Sequence, residues 1–449
     1  MNILAINKHD IYGGAARVAF DLHHGMRSHK HASTLAVAVR NCDDTSTVAI
    51  PDLPPKPGYW AKLLWQLREP WKKRIGKRGT GIIMHLLRAL VDPIGELERQ
   101  RGHEVFHFPG SLKILELPSQ RPQILHLHNL HDEFFDLRSL PKLSHQIPTF
   151  ITLHDEWLLT GHCACTLGCD RWMAGCGECP DLTIYPRIPR DGTHHNWQQK
   201  ADIFANSHLF IAAPSRWLMD RARRSMLAKG LAEGRVIPNG VDQDVFTPID
   251  RGSIRQRFGI KEDAAVVLFL CAREPLVNRF NDFATIQKCI EIISTKYPHE
   301  NLVILGVGSK EVRRYFKTSK VRVSGYISDP EEMASYYQAA DVFLHAAHAD
   351  NFPTTILESL SCGTPVVATK VGGIPEQVCH NVNGFLVGRQ NAQEMADYAI
   401  QILIDKLLQG KLRAGALANS RPKYSLERMT RDYESWYMDV LQTKASGMK

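Results

Sequence analysis

Residues 348–373 read HADNFPTTILESLSCGTPVVATKVGG. The apolar run ADVFLHAA (340–347) stands just ahead of them, and a second apolar run, TPVVATKV (364–371), lies near their end. Between the runs, Pro353 falls at a first-turn helical position, where its missing N–H costs nothing. Thr354 and Thr355 add hydroxyls to the free N–H groups of that turn. Strand, helix and strand in so few residues predict a parallel β-α-β unit. The turn Asp350, Asn351, Phe352, Pro353 and the helix start after it make a seat for an anion. Glu358 lies about one helical turn further in, where a carboxylate can accept two hydrogen bonds from a vicinal diol such as a ribose. Asp350 precedes the helix, nearer to where a sugar attached through a diphosphate would lie.

The same alternation runs outward through the chain. One series of apolar runs falls at 2–7, 33–39, 123–129, 149–155, 209–215 and 235–240, and a second at 265–272, 301–308, 321–326, 340–347, 364–371 and 384–388. Two such series predict an α/β protein of two doubly wound, Rossmann-like parallel-sheet domains facing a central cleft. Turn residues and a proline in NGVDQDVFTPIDRGSIRQRFGI place the linker near 240–255. The expected domains are therefore 1–245, with an insertion at about 50–120, and 246–424, followed by a terminal helix over 425–449. Ser425 can cap that helix, and Leu426, Met429, Tyr433, Trp436, Tyr437 and Val440 form one apolar stripe. It reads either as crossing back to the first domain or as an ordinary core helix of the second.

A chain of 449 residues has room for two cores, and 44% hydrophobic with 23% charged residues is the composition of a soluble globular protein. No run approaches the roughly 20 apolar residues of a membrane span. Met1 leads almost directly into a strand, so no secretion signal is expected, and the ten cysteines are read as thiols of a reducing cytosol. The net charge of +8 is uneven: residues 55–78 hold eight basic side chains and one acid, eight less one giving +7. Trp60, Trp65 and Trp71 are interleaved with them. A basic, Trp-bearing amphipathic segment reads as an interfacial element on an anionic membrane, the alternative being a solvated insertion. No nucleic-acid motif accompanies it, and nucleic acid is not an expected partner.

Further motifs cluster at strand ends. Gly13 and Gly14 lie in the first strand-to-helix turn, and either present bare N–H groups to a phosphate or only form a tight turn. QILHLHN (123–129) and TFITLHD (149–155) end in His128 and in His154 with Asp155, at the edge where open α/β sheets bind ligands. These histidines face that crevice or are structural hydrogen-bonded residues. Past strand 265–272, Arg273 and Arg279 offer guanidinium forks suited to a diphosphate. GHCACTLGCDRWMAGCGECP (161–180) holds Cys163, Cys165, Cys169, Cys176 and Cys179, half the cysteines of the chain. Cys176 and Cys179 form a C-x2-C knuckle, and with Cys163 and Cys169 can make a structural zinc site. Disulfides, an iron–sulfur cluster or plain packing are the other readings.

DNFPTTILESLSCGTPVVATKVGGIPEQV resembles the Glu-x7-Glu region of the retaining glycosyltransferases of family 4, which have the two-domain GT-B fold. VIPNGVDQDVF, GYISDPEEMASYYQAADVFL and NGFLVG resemble its flanking segments. The resemblance covers most of the chain outside residues 45–120, and the Cys-bearing segment is similar to a branch met in bacterial surface-polysaccharide assembly. It implies that Glu358 holds the donor ribose, Asp350 the donor sugar, and Arg273, Arg279 and Gly14 the diphosphate, with His128 near the reacting anomeric carbon. His128, Asp350 and Arg273 are then the catalytic set, and His154 and Asp155 face the acceptor. Asp350 replaces the more usual Glu, and Arg279 stands where the family usually has Lys.

The implied reaction moves a hexose-type sugar from a nucleotide sugar to a saccharide or lipid-linked saccharide acceptor, with retention and without a required cofactor. The expected location is cytoplasmic, peripheral on the inner face of the membrane. Rival readings are a nucleotide-sugar epimerase of similar architecture and a non-catalytic scaffold of polysaccharide synthesis. A dinucleotide dehydrogenase is disfavoured because no G-x-G-x-x-G follows the first strand.

Overall fold

The computed structural model describes residues 1–54, 89–271 and 278–446, with positions 60, 63, 66 and 86. The chain divides into two compact units, Met1–Val236 with Tyr433–Lys449, and Ile237–Asp432.

The first unit carries β1 (Asn2–His9), β2 (Ala32–Val39), β3 (Thr47–Ala49), β4 (Ile124–Leu127), β5 (Thr149–Thr152), β6 (Leu209–Ala213) and β7 (Leu231–Val236). They form one parallel sheet in the order β3-β2-β1-β4-β5-β6-β7. Helices α1 (Gly14–Ser28), α2 (Pro93–Gln100), α3 (Thr193–Ala205) and α4 (Arg216–Arg224) belong to this unit. Side chains of β1 alternate between faces, as the period of a strand requires. Leu4 and Ile6 join the large cluster with Leu125, Leu127 and Ile151, while Ala5 packs with Leu35 and Val37.

The second unit carries β8 (Ala265–Leu270), β9 (Leu302–Val307), β10 (Val321–Ser324), β11 (Val342–His345), β12 (Val366–Thr369) and β13 (Gly384–Val387), again parallel, in the order β10-β9-β8-β11-β12-β13. Ala265, Val267 and Phe269 enter one core and Val266 and Leu268 the other. A strand buried on both faces reads as an unbroken apolar run, which is why AVVLFL carries no polar alternation. Helices α5 (Pro330–Ala339) and α6 (Thr354–Ser361) lie in this unit.

The unit boundary falls at Val236, nine residues ahead of the expected 245. The physical reason is that 237–250 packs on the second unit. Val241 bridges Ser425, its N–H bonds the Tyr424 carbonyl at 2.9 Å, and Phe246 is buried in the core of that unit. The terminal helix α7 (Leu426–Ser446) starts in the second unit and belongs to the first from Tyr433 onward. There the Tyr433 hydroxyl bonds Thr152 at 2.7 Å, the Tyr437 hydroxyl bonds His126 Nδ1 at 2.6 Å, and Glu434 takes His29 at 2.7 Å and His31 at 2.6 Å. Among the described residues no helix is long and apolar enough to cross a membrane.

Candidate functional site

In each sheet the strand order reverses beside the first strand, between β1 and β4 and between β8 and β11. Open α/β sheets bind ligands beyond the C-terminal ends of strands at such a reversal.

In the second unit, β11 delivers its last residue, His345, to this edge, and the chain then turns through Ala346–Pro353 into α6. The N-cap residue Pro353 makes no side-chain cap bond, so it leaves the first-turn N–H groups of α6 to other partners. Phe352 is buried against Tyr424, and Gln377 Nε2 donates to the Pro353 carbonyl at 3.0 Å, so the turn is tied down from both sides. Gly372 completes it. Its φ is +53°, and a Cβ there would stand 1.8 Å from the Asp350 carbonyl oxygen, so only glycine fits.

The Asp350 carboxylate lies 3.5 Å from His345 Nε2, a ring nitrogen that is buried and has no hydrogen-bond partner. Glu358 projects from α6, and its Oε2 accepts the hydroxyl of Tyr337 on α5 at 2.9 Å. Burial, followed by the charge of Glu358, raises the Tyr337 pKa well above its usual range, which keeps that hydroxyl a donor. Arg279 is exposed. Its neighbours bond the loop that leads to Asp350, the Phe280 carbonyl accepting His348 N–H at 2.7 Å and Asp282 N–H donating to Ala346 O at 3.0 Å. Arg273 lies outside the described residues.

In the first unit, Gly13 (φ +97°) leads into α1, again with no side-chain cap. An added Cβ at Gly13 would meet nothing within 4 Å, so the backbone angle alone calls for glycine. The carboxylate of Asp10 fixes the preceding turn by accepting Ile11 N–H at 2.8 Å, Asn41 Nδ2 at 2.9 Å and Cys42 N–H at 2.8 Å. His128, 2% exposed, follows β4, and its Nδ1 meets His154 Nε2 at 2.9 Å. Its Nε2 is buried with no hydrogen-bond partner. Burial drives the His128 pKa well below its usual value, His126 and His154 adding to the effect, so the ring is neutral near pH 7.

The hydrogen-bonded side-chain partner of Asp155 is His131. The carboxylate accepts His131 Nε2 at 2.9 Å, while His131 Nδ1 faces Asp132 at 3.2 Å and Tyr185 donates to Asp132. Burial works against charge on His131, but the carboxylates of Asp155 and Asp132 outweigh it and push its pKa up to about 10. His131 also lines a cavity of about 760 Å³ within this unit, with Phe106, Leu130, Trp157, Arg187 and Arg190. Aromatic faces beside charged groups suit a saccharide better than a purely apolar ligand.

Cys163, Cys169, Cys176 and Cys179 line one small cavity, and all are free thiols. Among the described residues, three metal-ligating atoms come within 4.8 Å of one another at His23–His24–Asp44 and at Glu98–His103–His195, and not at the cysteines. His23 bonds Ser33 and Ser46 through its two ring nitrogens, each at 2.8 Å, which leaves it no lone pair for an ion.

The structure thus groups Asp350 with Glu358 on one turn-helix unit, and His128 with His154 at one sheet edge. It adds three residues that the sequence reading did not single out. His345 and His131 follow the pattern of histidines at or just past strand ends and were within reach of it. Tyr337 lies 21 positions from Glu358 on another helix, and no local pattern links the two.

Two family models match: Glycosyltransferase Family 4 over residues 12–245 and glycosyl transferases group 1 over 250–419. A relative in Escherichia coli K12, provisionally named the colanic acid biosynthesis glycosyl transferase WcaC, is 28% identical over 331 residues, covering 71% of this chain and 77% of its own. The D-inositol 3-phosphate glycosyltransferase of Streptosporangium roseum is 32% identical over 205 residues, a match that spans 42% of this chain and 47% of that protein. The crystal structure of Anabaena Alr3699/HepE in complex with UDP and glucose superposes with a TM-score of 0.62 at 15% identity, covering 97% of this chain and 98% of that one. That likeness shows the fold, the pair of Rossmann-like domains of GT-B glycosyltransferases.

Proposed function

We propose that this chain, which belongs to Glycosyltransferase Family 4 and is a glycosyltransferase of group 1 type, moves a hexose-type sugar from a nucleotide sugar to a saccharide acceptor with retention of anomeric configuration. The observation that carries the reading is the Tyr337–Glu358 pair on the edge that also bears Asp350 and the uncapped start of α6. A carboxylate with one oxygen oriented by a buried phenol is poised for a diol. An uncapped helix start beside it is suited to a diphosphate.

In the proposed reaction the helix start of α6 and Arg279 stabilise the departing diphosphate, whose charge grows as the sugar bond breaks. Arg273 would share that task. Asp350 orients the sugar hydroxyls, with His345 behind it. Neutral His128, with its Nε2 unclaimed, can hold a substrate hydroxyl at the ligand-binding edge of the first unit. His154 supports His128, and Asp155 acts through His131 on the acceptor side. With Asp350 given to the sugar hydroxyls and Glu358 to the ribose, no carboxylate is assigned as nucleophile: in the retention proposed here the acceptor oxygen bonds the anomeric carbon on the face that the departing diphosphate vacates, and the acceptor's hydroxyl proton passes to the departing phosphate oxygen.

The kinship with WcaC supports a place in surface-polysaccharide synthesis, and a lipid-linked acceptor would bring the enzyme to the cytoplasmic face of an anionic membrane. Most of the basic segment 55–78 lies outside the described residues. Trp60 is 72% exposed, and Leu86, Leu90, Ile94 and Leu97 are 61%, 68%, 60% and 48% exposed, which supports an interfacial role for this part of the unit. The test of function is a screen of nucleotide sugars for acceptor-dependent nucleotide release. Release without any acceptor, or interconversion of the nucleotide sugar alone, would speak for an epimerase instead.

A further inference from the structure

We infer that Cys163, Cys169, Cys176 and Cys179 bind one zinc ion that fixes a wall of the 760 Å³ cavity of the first unit. The four thiols line a cavity of about 30 Å³, room for an ion and little else. Two turns present three of them, Cys169, Cys176 and Cys179, and both use left-handed backbone. Leu167 (φ +48°) and Gly168 (+94°) precede Cys169, and Gly175 (+115°), Cys176 (+54°), Gly177 (+87°) and Glu178 (+44°) run up to Cys179. Three of those six residues carry a side chain and pay for that conformation, which an ion held by the turn would offset.

Two polar groups stand beside these sulfurs. Gly161 N–H donates to Cys176 Sγ at 3.3 Å. His162 is 1% exposed, its Nε2 lies 3.7 Å from Cys179 Sγ, and its Nδ1 has no hydrogen-bond partner. An imidazole donating to a metal-bound sulfur is a common outer contact in such sites. Zinc–sulfur bonds of about 2.3 Å put the four sulfurs about 3.8 Å apart. The thiols stand wider than that here, and side-chain rotation in the two turns would draw them inward. Cys165 is buried and is not among the residues lining this cavity; it remains a spare.

The consequence reaches beyond the ion. Gly177 N–H bonds Thr193 Oγ1 at 2.9 Å, Cys179 N–H bonds Asp191 Oδ2 at 2.6 Å, and His194 Nδ1 meets the Gly175 carbonyl at 2.9 Å. The knuckle is thus tied to the start of α3, and the chain leaving it, Pro186–Arg190, walls the larger cavity. Zinc would hold both ends of that wall.

The full chain, purified under reducing conditions and dialysed free of loose metal, should hold about one zinc per chain. Cobalt(II) in its place should give the intense visible bands of a tetrahedral ion with the sulfur-to-metal charge-transfer absorption of four thiolates. Cys165→Ser should keep both signals, Cys176→Ser should lose the four-thiolate spectrum, and chelation should speed proteolytic cleavage within 180–190. If Cys176→Ser does not fold, the wild-type stoichiometry and cobalt spectrum decide alone. A folded protein without metal, with the thiols of Cys163, Cys169, Cys176 and Cys179 open to modification, would overturn the inference, and so would a disulfide among these four or an iron–sulfur chromophore. None of these outcomes depends on which sugar is transferred.

Discussion

The phenol of Tyr337 donates to Glu358 Oε2 at 2.9 Å, joining α5 to the helix that starts at the proposed donor seat. The hydroxyl is fully buried, so the bond is shielded from water and sets the orientation of the carboxylate.

Tyr337→Phe removes that donor and keeps the packing against Phe246 and Phe343. Hydrogen bonds to charged groups are worth about 1.5–3 kcal/mol, and only part of this passes into ligand affinity. Binding of a nucleoside diphosphate should weaken several-fold while thermal stability falls modestly, and calorimetry with UDP as the first probe checks it.

Gly372→Ala should damage the second unit directly. The new Cβ would meet the Asp350 carbonyl oxygen at 1.8 Å, and backbone must move to relieve it. A loss of about 1–3 kcal/mol is expected from overpacking of this kind, read by urea unfolding, with transfer falling further because Asp350 moves.

The pH dependence of stability should carry the signature of His131. Its folded pKa, up to about 10, is raised above the unfolded value near 6.5. Its contribution is therefore fully present below about pH 6.5 and is lost as pH rises through about 10. Within that window stability should fall with pH by at most about 1.4 kcal/mol per unit from this group. His131→Gln should flatten the slope, as measured by unfolding at stepped pH.

Tyr437→Phe should destabilise the first unit although the change lies at the far end of the chain. His126 Nδ1 would lose its 2.6 Å partner in a buried site, a cost of about 1–3 kcal/mol. Truncation before Tyr433 should be worse, since it strips Trp436 and Tyr437 from the Phe150 ring, at 4.9 Å and 4.7 Å between centroids.

The two sheets were legible because strands buried on both faces leave unbroken apolar runs, as AVVLFLCA and TPVVATKV do. The start of α6 was legible through Pro353 and the paired threonines, which fix where a helix can begin. The strand order was not, since it depends on pairings far apart in sequence. Nor could the sequence separate His154 from Asp155, neighbours in the chain that turn to different partners, His128 and His131. Turn residues at 239–250 read as a linker, and the two family models also divide the chain there, while Val241 and Phe246 pack into the second unit through contacts distant in sequence.

The central claim is that residues 350–358 hold a nucleotide sugar, and the most direct measurement is calorimetry of nucleoside diphosphate binding to Glu358→Gln and Asp350→Asn, set beside transfer rates. Glu358→Gln should weaken the free nucleotide by up to about 1.5–3 kcal/mol. Asp350→Asn should leave that affinity nearly unchanged and depress transfer, because its partner is the sugar that the free nucleotide lacks. Unaltered nucleotide affinity in Glu358→Gln, or losses in both variants that merely follow their thermal stability, would contradict the account and leave this stretch as scaffolding.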